Sequence, residues 1–408
     1  MQIVADANIP LLDEAFGPVG EVRALPADAI TPDAVADADA LLVRSVTRVD
    51  AALLDESRVR FVATATIGLD HVDTAYLDHR NIGFASAQGS NARSVAEYVL
   101  AALGVLARRT GRDLFGLTVG IVGVGNVGGR LARMLEALGL RVLRNDLPLA
   151  RQTGDPIYVP LDALADADVV TFHVPLTRTG RDATHHMAGA ALIARLKPGV
   201  WLVNTARGAV AETDALAGAV DTGRLGALVC DVWEGEPAIP LRLLERADLA
   251  TPHVAGYSYD GKVNGTRMVL AALAEHFGIE RDWDPAPLMP PPANPRVEIP
   301  AGAGAQEALG RAVRAAYDIE ADDRRLRAMG ERPEDERPAY FKTLRREYPV
   351  RREFPETTAV LAEADADLSS HVPQPALPGR ATGGDHGGAR PAVAPAEVLA
   401  AAGFPVET

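Results

Sequence analysis

LTVGIVGVGNVGGRLARMLEALG, residues 117–139, decides the reading of this chain. The apolar run VGIV predicts a buried strand, and GRLARMLEALG carries apolar residues at helical spacing. Between them Gly123, Gly125 and Gly128 fit G-x-G-x-x-G, a pattern that is weak alone and informative between a strand and a helix. The first glycine permits a tight turn, the second lets backbone approach a pyrophosphate, and the third lets helix and strand pack closely. The helix N-terminus then offers free N–H groups to the phosphates. Asp146 closes the next apolar run, RVLRND, eighteen residues past Gly128. A carboxylate there accepts ribose hydroxyls and repels a 2′-phosphate, so NAD is expected; Arg144 nearby leaves NADP as a minor alternative.

Outward from this unit, strand-like runs alternate with helical ones. VVTFHV, VWLVNTA, GALVCDVW and DLATPHV continue the series towards the C-terminus. On the N-terminal side, QIVA, ALLVRS, RFVATA and IGFASA predict strands, with LLDEAF, AALLDE and TAYLDHR as helices between them. NARSVAEYVLAALGVLARR predicts a long helix linking the two series. The alternation implies parallel α/β layers. After about residue 284 a proline-rich strap, DPAPLMPPPANP, precedes one long helical pattern over 307–329. TTAVLAEA and PAEVLAAAGF then predict a strand and a helix. Residues 365–397, dense in Gly, Pro and Ala, read as a disordered insertion.

Composition narrows the function classes. A net charge of −14 without a basic stripe argues against nucleic acid as partner. The 48% of hydrophobic residues supports a sizeable core, yet no apolar run approaches a membrane span. One cysteine, Cys230, rules out an internal disulfide framework. It lies in ALVCDV and is expected in the core. No secretory signal pattern opens the chain, so the expectation is a cytoplasmic protein.

Three polar residues follow apolar runs of the second series: Arg207 in NTARGAV, Glu236 in DVWEGEP and His253 in TPHVAGY. Carboxyl ends of strands in an open parallel sheet form the ligand crevice, so the three are expected to converge beside the nicotinamide. Oxidising an alcohol beside a carboxylate needs a cation, a base and a partner for the base. Arg207 offers a bidentate fork. His253, with an ordinary pKa near neutrality, can take the hydroxyl proton, and Glu236 would orient its ring.

On GVGNVG, the aspartate after the second strand, NTARGAV, DVWEGEP and TPHVAG, the chain resembles the D-isomer-specific 2-hydroxyacid dehydrogenase family. DANIP, VRSVTRVD, ATATIGLDHVD, QGSNARSVAEYV, AGYSYDGK, YDIEADD and LRREYPVRRE further resemble a branch that oxidises a small phosphorylated 2-hydroxy acid on the route to pyridoxal 5′-phosphate. The resemblance implies a Rossmann-type doubly wound NAD domain (90–255) inserted into a smaller flavodoxin-like substrate domain (1–89 and 256–284). It also implies a C-terminal α+β dimerisation domain (285–408) and a homodimer. Carried over by position, Arg207, Glu236 and His253 are catalytic. Asn126, Val127, Asp146, Thr205, Ala206, Arg207, Asp231 and Gly256 join the loop glycines as cofactor contacts. Ser45, Thr66 and Tyr257 contact substrate. Two alternatives stay open: oxidation of 3-phosphoglycerate or another D-2-hydroxy acid, and a non-catalytic NAD-sensing scaffold.

A substrate phosphate in so acidic a protein needs at least one arginine. Arg44, adjoining Ser45, is the first choice. Arg345, Arg346, Arg351 and Arg352 are second, delivered from a partner subunit; otherwise they form a solvated helix face. His173 is expected near the cofactor cleft or as a structural residue. His185 and His186, on opposite sides of a strand, and the sparse His371 and His386 are not expected to hold a metal. Asp70 is expected to cap a helix beside His71.

Overall fold

The computed structural model describes residues 1–362 and 393–408. Among the described residues three parallel sheets succeed one another along the chain. The first contains β1 (Gln2–Asp6), β2 (Glu21–Leu25), β3 (Ala40–Val43), β4 (Phe61–Thr64) and β5 (Gly83–Ser86), in the order β2-β1-β3-β4-β5. This is the flavodoxin-like arrangement. ALLV of β3 and FVAT of β4 are wholly buried, as strands covered on both faces must be. β2 reads EVRAL, lies at the edge and is largely exposed. It has no apolar run to mark it as a strand; its register comes from β1, Gln2↔Glu21 to Asp6↔Leu25.

The second sheet contains β6 (Thr118–Val122), β7 (Arg141–Asn145), β8 (Val169–Phe172), β9 (Val200–Asn204), β10 (Leu225–Cys230) and β11 (Leu249–Ala250). Its order is β11-β10-β9-β8-β6-β7, so the winding reverses at β6 and a crevice opens beyond the carboxyl ends there. Two long helices lie at its borders. Ala92–Thr110, mostly buried, packs into the core of the second sheet. Tyr259–Phe277 returns to the first and packs Val269, Leu270 and Leu273 among Ile3, Phe16 and Phe61. Cys230 is buried in the second sheet, and burial pushes its thiol pKa up.

The third sheet, β12 (Arg296–Ile299), β13 (Thr358–Leu361) and β14 (Val406–Glu407), is also parallel. The single helical pattern over 307–329 is in fact two helices, Ala305–Ala316 and Ile319–Arg327. Tyr317 turns extended, with φ −148°, and the Asp318 carboxylate accepts from Ala321 N–H at 3.0 Å to start the second. Most of the expected insertion, with His371 and His386, lies outside the described residues; its final residues, 395–397, begin helix Pro395–Ala402. One hydrophobic cluster joins the second and third sheets, with Val119, Leu135 and Trp201 in the same core as Leu309, Phe354 and Phe404. Among the described residues no helix is long and apolar enough to cross a membrane.

Candidate active site

A cleft of about 960 Å³ opens where the strand ends of the first two sheets face each other. Arg44, Ser45 and Thr66 line it from the first sheet; Asn126, Val127, His173, Thr205, Ala206 and Arg207 line it from the second. His253, Gly256 and Tyr257 complete the wall on the returning chain. Glu236 stands behind His253 and Asp146 behind the glycine loop.

The histidine is held from two sides. His253 Nδ1 lies 2.8 Å from Glu236 Oε2, while Glu236 Oε1 accepts from Trp233 N–H at 2.8 Å. Burial raises the Glu236 pKa, but the adjoining imidazole and the Trp233 N–H outweigh it, leaving the carboxyl below its ordinary value. The backbone of His253 is left-handed, φ +59°, a region L-residues seldom occupy. Hydrogen bonds hold it there. Asp231 O accepts from His253 N–H at 2.7 Å, and the Asp231 carboxylate accepts from Val254 N–H at 2.7 Å and Ala255 N–H at 3.0 Å. Thr251 Oγ1 donates to the same carboxylate at 2.6 Å and meets Tyr98 OH at 2.7 Å. The Asp231 carboxylate therefore braces the turn that carries His253 from within the protein, and burial raises its pKa.

Arg207 faces the cleft with its Nε 3.5 Å from Asp70 Oδ2 and its Nη1 donating to Ala206 O at 2.8 Å. Asp70 does not cap a helix. Asp73 does so, accepting from Tyr76 N–H at 3.0 Å, because helix Thr74–His79 starts later than expected. Thr66 Oγ1 meets Thr64 Oγ1 at 2.8 Å, which meets His71 Nε2 at 3.1 Å. His173 lies between Thr171 Oγ1 at 3.0 Å and Thr205 Oγ1 at 3.2 Å, and burial pushes it down to about 3, so its ring is neutral in the cleft. His185 and His186 are not on a strand: His186 is left-handed, their rings stack 3.9 Å apart, and His186 Nε2 meets Glu234 Oε1 at 2.7 Å.

The glycine loop fits a dinucleotide. Gly123 has φ +88°, and a Cβ on Gly128 would come within 1.9 Å of Gly123 O. A Cβ on Gly125 would meet nothing within 4 Å, so that backbone is open to a ligand. Helix Asn126–Ala137 has no side-chain cap, leaving its first N–H groups for phosphate oxygens. The Asp146 carboxylate accepts from Val124 N–H at 2.8 Å and from Leu149 N–H at 3.0 Å, tying the loop to the start of helix Leu147–Thr153. Arg144 is engaged by Glu136 at 2.6 Å, which weighs against a 2′-phosphate.

Lys262, within AGYSYDGK, also lines the cleft, although nothing in its sequence context marks it as a site residue. Ser258 caps the helix that carries it, accepting from Gly261 N–H at 2.9 Å. The four C-terminal arginines do not share one solvated helix face. Arg345 lines the cleft of its own chain, from helix Arg337–Arg346. Arg351 is buried and donates to Ser94 Oγ and, at 2.7 Å, to Ala255 O. Arg352 pairs with Asp260 at 3.0 Å, and only Arg346, paired with Glu347, is on the exposed face.

The model of the D-isomer specific 2-hydroxyacid dehydrogenase NAD-binding domain matches residues 94–255. An erythronate-4-phosphate dehydrogenase of Salinibacter ruber is 51% identical over 88% of this chain and 93% of its own length. The chain belongs to the D-isomer specific 2-hydroxyacid dehydrogenase family. Another member, an erythronate-4-phosphate dehydrogenase of Sodalis glossinidius, is 47% identical over 91% of this chain and 96% of its own. Among solved family structures, D-lactate dehydrogenase of Aquifex aeolicus with NAD and lactic acid superposes with a TM-score of 0.56 at 26% identity. It covers 68% of this chain and is itself covered to 96%. A Staphylococcus aureus NAD-dependent formate dehydrogenase with NAD, 24% identical with a TM-score of 0.57, shares the fold; 70% of this chain and 98% of that one are covered. Residues 288–371 match a domain of unknown function.

Proposed function

We propose that this 2-hydroxyacid dehydrogenase oxidises 4-phospho-D-erythronate at C2, using NAD, to 3-hydroxy-2-oxo-4-phosphooxybutanoate on the route to pyridoxal 5′-phosphate. The observation that carries the reading is the His253–Glu236 pair at 2.8 Å in the same cleft as Arg207, in a chain about half identical to erythronate-4-phosphate dehydrogenases.

Arg207 holds the substrate carboxylate through paired N–H donors, replacing its contact with Asp70. Glu236 holds Nδ1 of His253, so Nε2 is the atom presented to the C2 hydroxyl. NAD, when bound, supplies the acceptor for the C2 hydrogen. As that hydrogen leaves with its electron pair, His253 takes the hydroxyl proton and the 2-oxo acid remains. Ser45, Thr66 and Tyr257 contact the rest of the substrate. Gly123, Gly125, Asn126, Val127 and Gly128 take the pyrophosphate, Asp146 the ribose, and Thr205, Ala206 and Gly256 the nicotinamide end. Asp231 serves this site through the turn it braces.

Residues 1–89 with 256–284 act as a substrate lobe and 90–255 as the NAD lobe, and closure of the cleft excludes water. Residues 285–408 join two copies as a homodimer; exposed Leu288, Val350 and Val393 supply apolar surface for it. Sedimentation as a monomer at micromolar concentration would remove that part. The activity is tested by comparing 4-phospho-D-erythronate and 3-phosphoglycerate with NAD. A higher kcat/KM on the glycerate would move the assignment, and turnover of neither would leave a binding protein.

A further inference from the structure

Tyr257 follows the catalytic histidine by four residues, and its ring is the centre of a cationic cluster. Lys262 Nζ lies 4.6 Å from the ring centroid and the Arg345 guanidinium carbon 5.5 Å from it. Arg44 is close enough for its charge to act on Lys262; burial first, then Arg44 and Arg351, push that lysine down to about 8. Arg44, Lys262 and Arg345 all line the cleft. Among the described residues none of the three forms an ion pair, and Arg345 Nε is buried without a hydrogen-bond partner. Their neighbours are differently placed: Arg352 has Asp260, Arg346 has Glu347, and Arg325 has Asp322.

Mutually repelling, partly desolvated cations in a chain of net charge −14 are costly to gather. An aromatic face recovers only part of that cost, less than a carboxylate partner could offer in the same place. The arrangement is complete only with an anion carrying several acceptor oxygens. The cluster adjoins His253 through Tyr257, which places that anion on the substrate.

We propose that Arg44, Lys262 and Arg345 form the subsite for the substrate's phosphate monoester dianion, with Tyr257 between them and Arg345 supplied by the C-terminal segment of the same chain. This rests on the phosphorylated 2-hydroxy acid of the preceding section and assigns its phosphate. Lys262 supplies a point charge, and the two arginines supply directed N–H donors. The proposal makes helix Arg337–Arg346 part of substrate recognition, beyond any part in dimerisation.

Two measurements on the full-length protein test it. The first is the ratio of KM for D-erythronate to KM for 4-phospho-D-erythronate, in wild type, Lys262→Met, Lys262→Arg and Arg345→Met. Both methionine variants should lower the ratio about tenfold or more, and Lys262→Arg should keep most of it. The second is calorimetric titration of inorganic phosphate into NADH-saturated protein, in which both methionine variants should bind about tenfold more weakly than wild type. NADH binding by each variant serves as the check that it is folded. Unchanged ratios and unchanged phosphate binding in folded variants would overturn the subsite. If wild type fails to oxidise 4-phospho-D-erythronate, the proposed activity falls, and the phosphate titration still decides the cluster.

Discussion

The two ends of the cleft are built in opposite ways. At the cofactor end each functional group follows a strand of one sheet, and a short continuous motif carries it: GVGNVG after β6, TARG after β9, and PHVAG after β11. At the phosphate end, Arg44 comes from the end of β3, Lys262 from the first turns of the returning helix, and Arg345 from the C-terminal segment. One end is a property of a strand order; the other exists only after three remote parts of the chain have met. Chemistry common to a family fits the first construction. Selection of one substrate fits the second, since each contributing part can vary without disturbing the reacting atoms.

The sharpest way to break this division is His253→Ala. It should lower kcat by about 10²–10⁴-fold on phosphorylated and unphosphorylated substrates alike, with NADH affinity nearly kept. A loss confined to the phosphorylated substrate would put His253 at the wrong end. Next in size, Arg207→Lys should recover little of the kcat/KM lost in Arg207→Ala, because an ammonium cannot present two parallel donors to a carboxylate. Full recovery by lysine would reduce Arg207 to a point charge.

A pH profile separates the ends in a single protein. Lys262 is held below its ordinary lysine value, at about 8, by burial and by the facing charges of Arg44 and Arg351; it lies against the rings of Tyr257 and Tyr348, and Arg345 stands over the same Tyr257 ring. The ammonium that attracts the dianion is present below that pH and lost above it. Hence kcat/KM for 4-phospho-D-erythronate should fall as pH rises through about 8, by up to tenfold per unit, relative to the profile for D-erythronate. Parallel profiles would mean that Lys262 does not sense the phosphate. The smallest effect belongs to Asp146→Ala, which should weaken NAD, relax the exclusion of NADP, and cost about 1 kcal/mol of stability through the lost helix cap. Denaturant midpoints beside cofactor titrations check both, and Asp146→Asn should retain more of the stability than of the cofactor preference.

The same division explains what could be read from residues alone. The glycine loop and the His253, Glu236 and Arg207 set were legible because strand, turn and helix repeat a local pattern whose geometry the sheet enforces. β2 was not, since an exposed edge strand reading EVRAL has no buried face to impose alternation. The break at Tyr317 was hidden because a helical periodicity on both sides outweighs one capping aspartate. Asp70 has the local sequence context of a cap, whereas its partner, Arg207, lies 137 positions away in the sequence. The C-terminal arginines share one basic run, yet the fold assigns Arg345 to the cleft, Arg351 and Arg352 to the interior and Arg346 to the surface. Only tertiary packing separates them.

The hydrophobic cluster shared by the second and third sheets bears on how such a chain can be altered by recombination. Leu309, Phe354 and Phe404 fill the same interior as Val119 and Trp201, and Arg351 reaches across to Ala255, two residues after His253. A C-terminal segment exchanged from a distant relative would have to match that interior residue for residue, and a gene ending near residue 284 would leave it open to water. The shared interior predicts that the segment folds together with the dehydrogenase, and that changes in the two halves arise together.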